Sequence, residues 1–262
     1  MTRVLVIEHE TGAGLGRLTP ADDVGTGTPA GAEITIWRPY LGQPAPIAPE
    51  ALDGFDALVV LGGSMGAHDD HVAEWLPITR QVLAAAVERQ MPTLGICLGA
   101  QLLAAATGGT VERGAPGLAV GLIEIRPTAA AADDPVIGAL GALRPVGHQA
   151  VEYHYAAVTV LPPGAVLLET SDMYPHQGYR LGPCAWAVQY HPEVTSSDFR
   201  QWVSSDEAAL LQAGRDPQVQ IDSVAALDGD LQFDADALWR AWFAQVQVRT
   251  RGDQRAGVPA LP

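Results

Sequence analysis

The sequence predicts an α/β fold: a mainly parallel central sheet flanked by helices, with antiparallel strands added at an edge. Three observations point there. Short unbroken apolar runs at residues 4–7 and 57–61, and a short segment at 93–96, read as strands, the first two with the look of strands buried on both faces, the habit of parallel strands. Residues 75–89 set Trp75, Ile78, Val82, Leu83, Ala86 and Val87 at helical spacing. Strand and helix then alternate, which wraps a parallel sheet in helices.

Taken in order, the first strand delivers Glu8, His9 and Glu10 into Gly12-Ala13-Gly14-Leu15-Gly16. A glycine loop after a first strand invites a dinucleotide-binding reading. The spacing departs from GxGxxG, however, and Pro20, Gly25, Gly27 and Pro29 interrupt the helix that should follow, so a flexible loop is expected. Residues 33–37 read as the second strand and residues 39–49 as a proline-rich connection. The third strand, 57–61, runs into Gly62-Gly63-Ser64-Met65-Gly66. The helix over 75–89 stops at Met91-Pro92, and the fourth strand, 93–96, leads through a tight bend into a helix over 100–107. After Gly108-Gly109, extended pieces at 110–111, 119–125, 157–161, 166–169 and 185–190 read as antiparallel or edge strands. Residues 196–211 read as a helix capped by Ser196 or Ser197. Residues 234–248 form another, with Leu238, Trp239, Trp242, Phe243 and Val246 on one side, and residues 212–232 between them are weakly patterned. One domain over residues 1–248 and a flexible tail over 249–262 are expected, with no internal repeat.

Composition narrows the function classes. Hydrophobic residues make up 48% of the 262, enough for a sizeable core. A formal net charge of −15 argues against phosphate-backbone and anionic-membrane binding, so neither a nucleic-acid nor a membrane partner is expected. The two cysteines, Cys97 and Cys184, do not make a disulfide framework. The apolar run near Met1 is too short for a secretory signal, and no run of about 18 apolar residues is present to span a membrane. A cytoplasmic, reduced protein is expected.

The chemistry centres on Gly95-Ile96-Cys97-Leu98-Gly99-Ala100-Gln101. A thiol on a strand-to-helix bend stands clear of the sheet, and the helix aims its first N–H groups and positive dipole end at it, a field suited to a negatively charged sulfur. The plainer alternative is a buried cysteine acting as a small hydrophobe. A nucleophilic thiol needs a base with an orienting acceptor. Of the seven histidines, His191 directly follows a convincing apolar strand and has a carboxylate two residues on. Pro192 pushes His191 towards extended geometry, where residues two apart share a side, so Glu193 can hold one ring nitrogen while the other faces the thiol. A solvated strand-end pair is the alternative for an isolated His-x-Glu. The Gly62-Gly63 turn at a neighbouring strand end, with the N–H of Leu98, can supply donors for an oxyanion.

Together, Gly95 to Gln101, His191-Pro192-Glu193 and the Gly62-Gly63 turn resemble the class I, triad-type glutamine amidotransferases, over roughly residues 4–199. The chain is most similar to stand-alone members related to the amidotransferase part of GMP synthase, with residues 200–248 as a helical extension. The resemblance implies a flavodoxin-like sheet and hydrolysis of the glutamine side-chain amide. Cys97 would attack, His191 would carry the proton to ammonia, and Glu193 would orient His191. Gly63 and Leu98 would hold the oxyanion of a γ-glutamyl thioester pathway. Gln101, Gly62, Met65 and Gly66 would line the substrate site.

One segment departs from the family. Where a His-Gly-Asp turn is expected, this chain has His154-Tyr155-Ala156. His154 and Tyr155 are therefore candidate substrate contacts, and the change opens the question of glutamine against another γ-glutamyl amide. Tyr155 packing over the sheet edge is an equal alternative. His68-Asp69-Asp70-His71 offers metal-ligand types, but consecutive loop residues rarely converge on one ion, and neither metal nor cofactor is expected. Asp172, Tyr174 and His176 read as a surface turn flanking the pocket. Without a Gly-x4-Gly-Lys-Ser/Thr run, any ATP-using synthetase must act in trans. The rival functions are a γ-glutamyl amide or peptide hydrolase without such a partner, and a catalytically idle binding module.

Overall fold

The computed structural model describes residues 1–19, 32–45 and 49–256. The helix interruption expected at Pro20, Gly25, Gly27 and Pro29 lies outside the described residues, as do residues 46–48 of the proline-rich connection and the last six residues of the expected tail. The first half holds β1 (Thr2–Ile7), β2 (Ala32–Trp37), β3 (Ala57–Val60), α1 (Leu76–Glu88), β4 (Thr93–Ile96) and α2 (Leu98–Ala106). Then come β5 (Thr110–Arg113), β6 (Ala119–Pro127), α3 (Ile137–Leu143), β7 (His148–His154), β8 (Ala156–Val160), β9 (Ala165–Thr170), β10 (Gly178–Leu181) and β11 (Ala185–Val188). Four helices close the chain: α4 (Ser196–Ser205), α5 (Glu207–Gln212), α6 (Pro217–Ala226) and α7 (Asp228–Ala256).

Nine strands form one sheet in the order β2-β1-β3-β4-β11-β10-β9-β6-β7, and β5 pairs with β8 in a second. β2, β1, β3, β4 and β11 run parallel, while β10, β9, β6 and β7 continue antiparallel. The expectation for residues 185–190 needs correction. β11 is an interior parallel strand against β4, buried along its length, and it ends at Val188. Its four apolar side chains have helices or strands on every side, as a central position demands.

The faces of the sheet are read directly from alternation. Val4 and Val6 join Val59, Ile96 and Val188 on the face covered by α7, whereas Leu5 and Ile7 join Leu58 and Val60 beneath α1 and α2. The C-terminal helix is thus a full layer. It begins at Asp228 rather than at 234 and continues to Ala256, so much of the expected tail is helical. Trp239 and Trp242 stack with ring centroids 5.0 Å apart, and with Leu238 and Val246 they are almost fully buried. Each contributes about 1.5–3 kcal/mol of apolar burial. The cap of α4 is Thr195, not Ser196 or Ser197: its hydroxyl accepts from the Asp198 N–H at 3.2 Å, and the Asp198 carboxylate accepts from the Thr195 N–H at 3.2 Å.

Two glycines set how closely the core layers approach. A Cβ on Gly99 would stand 2.0 Å from the Val60 carbonyl oxygen, and one on Gly95 would stand 2.8 Å from the Gly99 backbone. Helix α2 can only begin where it does because both side chains are missing. Gly99→Ala should therefore cost about 1–3 kcal/mol of overpacking, read as a lowered urea midpoint. An unchanged midpoint would refute this close-contact account.

Candidate active site

β4 ends at Ile96, and Cys97 turns the chain into α2 with φ +48° and ψ −103°. That conformation is strained for any residue bearing a side chain and is sustained by its surroundings. The Cys97 N–H donates to the Val188 carbonyl at 2.9 Å, and the Gln101 N–H donates to the Cys97 carbonyl at 3.0 Å. The thiol is buried at the first turn of α2, whose leading N–H groups, Leu98 first, have no acceptor within the helix.

β11 lies beside β4 and carries the chain on to His191. The His191 N–H donates to the Val151 carbonyl at 2.8 Å, which fixes the backbone. Its ring Nδ1 lies 2.7 Å from Glu193 Oε1. The other nitrogen, Nε2, is buried without a hydrogen-bond partner among the described residues. Burial alone would lower the pKa of this ring, but the facing Cys97 sulfur and the Glu193 carboxylate outweigh it and hold it well above the ordinary histidine value. Cys97 and His191 close on the same glycine. A Cβ on Gly62 would lie 2.9 Å from His191 Cε1 and 3.7 Å from Cys97 Cβ.

The glycine turn after β3 meets the start of α2. A Cβ on Gly63 would stand 3.0 Å from Leu98 Cδ2, 3.0 Å from His9 Cβ and 2.7 Å from Met65 Sδ. His9 supports this turn from behind. It accepts from Trp75 Nε1 at 3.0 Å, and complete burial lowers its pKa to about 3, so it stays neutral. The Gly66 N–H is taken by Asp69 Oδ2 at 2.7 Å, and Asp70 pairs with Arg80 at 2.7 Å. Asp69 and Asp70 thus shape the loop, and among the described residues no cluster of three or more His, Cys, Asp or Glu is arranged to hold a metal.

The remaining candidates are placed as follows. Gln101 is buried, and its amide donates to the Ala156 carbonyl at 2.8 Å and to Gln189 Oε1 at 3.3 Å. Gln189 in turn donates to Cys97 Sγ at 3.6 Å. Gln101 therefore reaches the thiol through Gln189 and ties the 154–156 turn to it. His154 is buried with Nε2 3.3 Å from Glu152 Oε1, and its ring packs at 5.0 Å on Tyr174. Tyr155 lies under the Arg113 guanidinium, 4.4 Å from the ring centroid, and packs partly buried beside the apolar cluster of β7 and α4. Tyr174 is not a surface residue: it is buried, and its hydroxyl donates to the Gly117 carbonyl. His176 Nδ1 sits 2.8 Å from the Val158 carbonyl, and exposed Asp172 pairs with Arg126.

Several contributors escaped the sequence reading. The loop over residues 12–16 is anchored, not free. Gly16 approaches so closely that a Cβ would stand 2.0 Å from the Glu193 carbonyl oxygen, at φ +44°. The Arg17 N–H donates to that same oxygen at 2.8 Å, and the buried Arg17 side chain donates to the Val194 carbonyl and to Asp228. No local signal marks Arg17, because its partners are distant in sequence. Trp202 from α4 packs edge-on to His191 at 5.0 Å and donates to the Gly12 carbonyl at 3.3 Å. A cavity of about 400 Å³ opens beside His191, Gly63 and Trp202.

Comparisons with known proteins bear on the family and the fold. The family model for glutamine amidotransferase class-I matches residues 27–209. The glutamine-hydrolysing GMP synthase subunit of Halobacterium salinarum is 29% identical over 160 residues, covering 60% of this chain and 76% of that one. Gamma-glutamyl peptidase 3 of Arabidopsis thaliana is 29% identical over 143 residues, 54% of this chain and 56% of the peptidase, so the match spans only about half of that relative. The crystal structure of a glutamine amidotransferase from Thermotoga maritima superposes with a TM-score of 0.76 at 24% identity, covering 92% of this chain and 98% of that one. One from Methylobacillus flagellatus reaches 0.76 at 25% identity, over 93% and 95%.

Proposed function

Because the chain belongs to the class I glutamine amidotransferase family, we propose that it hydrolyses the side-chain amide of a γ-glutamyl group through Cys97, His191 and Glu193. The observation that carries this reading is the 2.7 Å contact of His191 with Glu193, which leaves the buried second ring nitrogen unpartnered on the Cys97 side. In this reading the Cys97 sulfur attacks the amide carbon, and the N–H groups of Gly63 and Leu98 receive the oxyanion. Protonated His191 gives its Nε2 proton to the departing nitrogen, the C–N bond breaks, and a γ-glutamyl thioester remains. Water then loses a proton to neutral His191 as it attacks the thioester, the C–S bond breaks, and glutamate leaves. Glu193 keeps the ring aligned and stabilises its charged form throughout. A reduced thiol suits the cytoplasm, where this reading places the protein.

With glutamine as substrate the released nitrogen is ammonia, handed to a synthetase acting in trans, as the word subunit in the Halobacterium relative's name suggests. A second reading, a hydrolase of substituted γ-glutamyl amides without a synthetase, is supported by the likeness to gamma-glutamyl peptidase 3. Both share the covalent step. Acid quenching during turnover of glutamine or a γ-glutamyl amide should leave a glutamyl adduct on the peptide that carries Cys97. Turnover without any such adduct, under conditions where thioester hydrolysis is rate-limiting, would overturn the proposed mechanism.

A further inference from the structure

The cavity beside His191 has a definite chemical character. Trp202 and Tyr153 form aromatic walls, their rings 6.1 Å apart and nearly perpendicular. Glu10 and Asp206 contribute two carboxylates, and among the described lining residues there is neither lysine nor arginine. Each carboxylate is steadied by a hydroxyl: Ser64 donates to Glu10, and Tyr153 donates to Asp206 at 3.1 Å. His191, 4% exposed, also lines the cavity, and its buried Nε2 has no hydrogen-bond partner among the described residues. Gly63, one of the two proposed oxyanion donors, lines it as well. A group leaving the γ-glutamyl carbon must sit within reach of that ring nitrogen, and beside the oxyanion donors. The cavity is where it would sit.

Charge then selects the leaving group. An anionic amine, such as the second residue of a simple γ-glutamyl dipeptide, would bring a carboxylate against Glu10 and Asp206. An amine with a distant ammonium group meets two opposite charges beside the aromatic walls. The chain's net charge of −15 favours its approach in the same sense.

We propose that this cavity is a leaving-group pocket for a cationic amine, so that the substrate is a γ-glutamyl amide of an aliphatic diamine or a similar basic amine. The proposal rests on the hydrolytic reading above. The substrate amide nitrogen takes the His191 proton, the C–N bond breaks, and the amine departs with its far ammonium between Glu10 and Asp206. Water completes the cycle, so one amide and one water yield glutamate and the amine.

Three isosteric amides test this: mono-γ-glutamyl-1,4-diaminobutane, γ-glutamylpentylamine, and γ-glutamyl-5-aminopentanoate. kcat/KM for the cationic amide should exceed that for the neutral one about tenfold or more, and that for the anionic one about hundredfold or more. Asp206→Asn and Glu10→Gln should each bring the cationic-to-neutral ratio towards one, and added salt should lower it. Equilibrium binding of the three amides to Cys97→Ala provides a readout without turnover, with the same order expected. Cys97-dependent turnover with no preference for the cation, or with a preference for the anion, would overturn the pocket assignment and leave the hydrolytic reading standing. Absence of turnover for every amide, with the binding order intact in Cys97→Ala, would overturn the hydrolytic reading and leave the pocket assignment standing.

Discussion

Cys97→Ala should lose at least about 10⁴-fold in kcat with every γ-glutamyl amide that the native protein hydrolyses, because nothing else near His191 can form the thioester. Its stability should follow an unusual order. Cys97 holds φ +48°, where a Cβ is strained, so Cys97→Gly should be more stable than Cys97→Ala by about 1 kcal/mol. In an ordinary helix or strand the order is the reverse. Equal loss of activity in both variants, with the glycine form melting higher, would separate the chemical role of the sulfur from the strain that presents it. Retained turnover in Cys97→Ala would end the thiol mechanism, and an alanine form more stable than the glycine form would refute the strain.

Glu169→Gln should stabilise the protein by an amount that grows with pH, reaching about 5 kcal/mol above pH 8. Glu169 is completely buried on β9, with Tyr190 donating to its Oε2 at 3.0 Å. Burial raises its pKa to about 8, against an ordinary value of 4.5, while the Tyr190 hydrogen bond pulls the other way and Asp134 adds to the rise. Between those two values the unfolded chain has released a proton that the folded one still holds, so rising pH favours unfolding. That cost is absent below about pH 4.5, builds across the interval, and levels off above pH 8. Glutamine mimics the neutral acid and carries no such cost. The difference in melting temperature between variant and native protein should therefore be small at pH 5 and large at pH 9. A difference that does not change with pH would show that Glu169 is ionised in the folded state.

Much of the parallel half of the sheet was legible because strands buried on both faces appear as bare apolar runs, as at residues 4–7 and 57–61. β7 was not, since His148, Gln149, Glu152 and His154 break its apolar pattern, and the partners of buried His148, Glu152 and His154 are Tyr190, Gln177 and Tyr174, all distant in sequence. β10, four residues with an arginine among them, is too short for periodicity to speak. β11 was recognised as a strand, but its direction is a property of its neighbour β4 and leaves no local trace. α7 was read too short because its first turn is acidic and polar, and its start is held by Arg17 and Arg144 from elsewhere in the chain.

The active-site reading divides the same way. Cys97 on a strand-to-helix bend and His191 two residues before Glu193 are local patterns, since the elbow and the His-Pro-Glu spacing each lie within a few bonds. The glycines at 62, 63, 95 and 99 are visible in the sequence, but the contacts that exclude a side chain there come from other elements. What the tertiary structure alone decided is everything carried by residues far apart in sequence: Gln189 donating to the Cys97 sulfur, Arg17 clamping the carbonyls of Glu193 and Val194, and Trp202 covering His191. It also decided that a cavity with two carboxylates opens beside His191. Side-chain order along a chain is written by local spacing, which a sequence displays. Proximity between β1's loop, β7 and α4 is created only when the sheet closes and buries their shared surface.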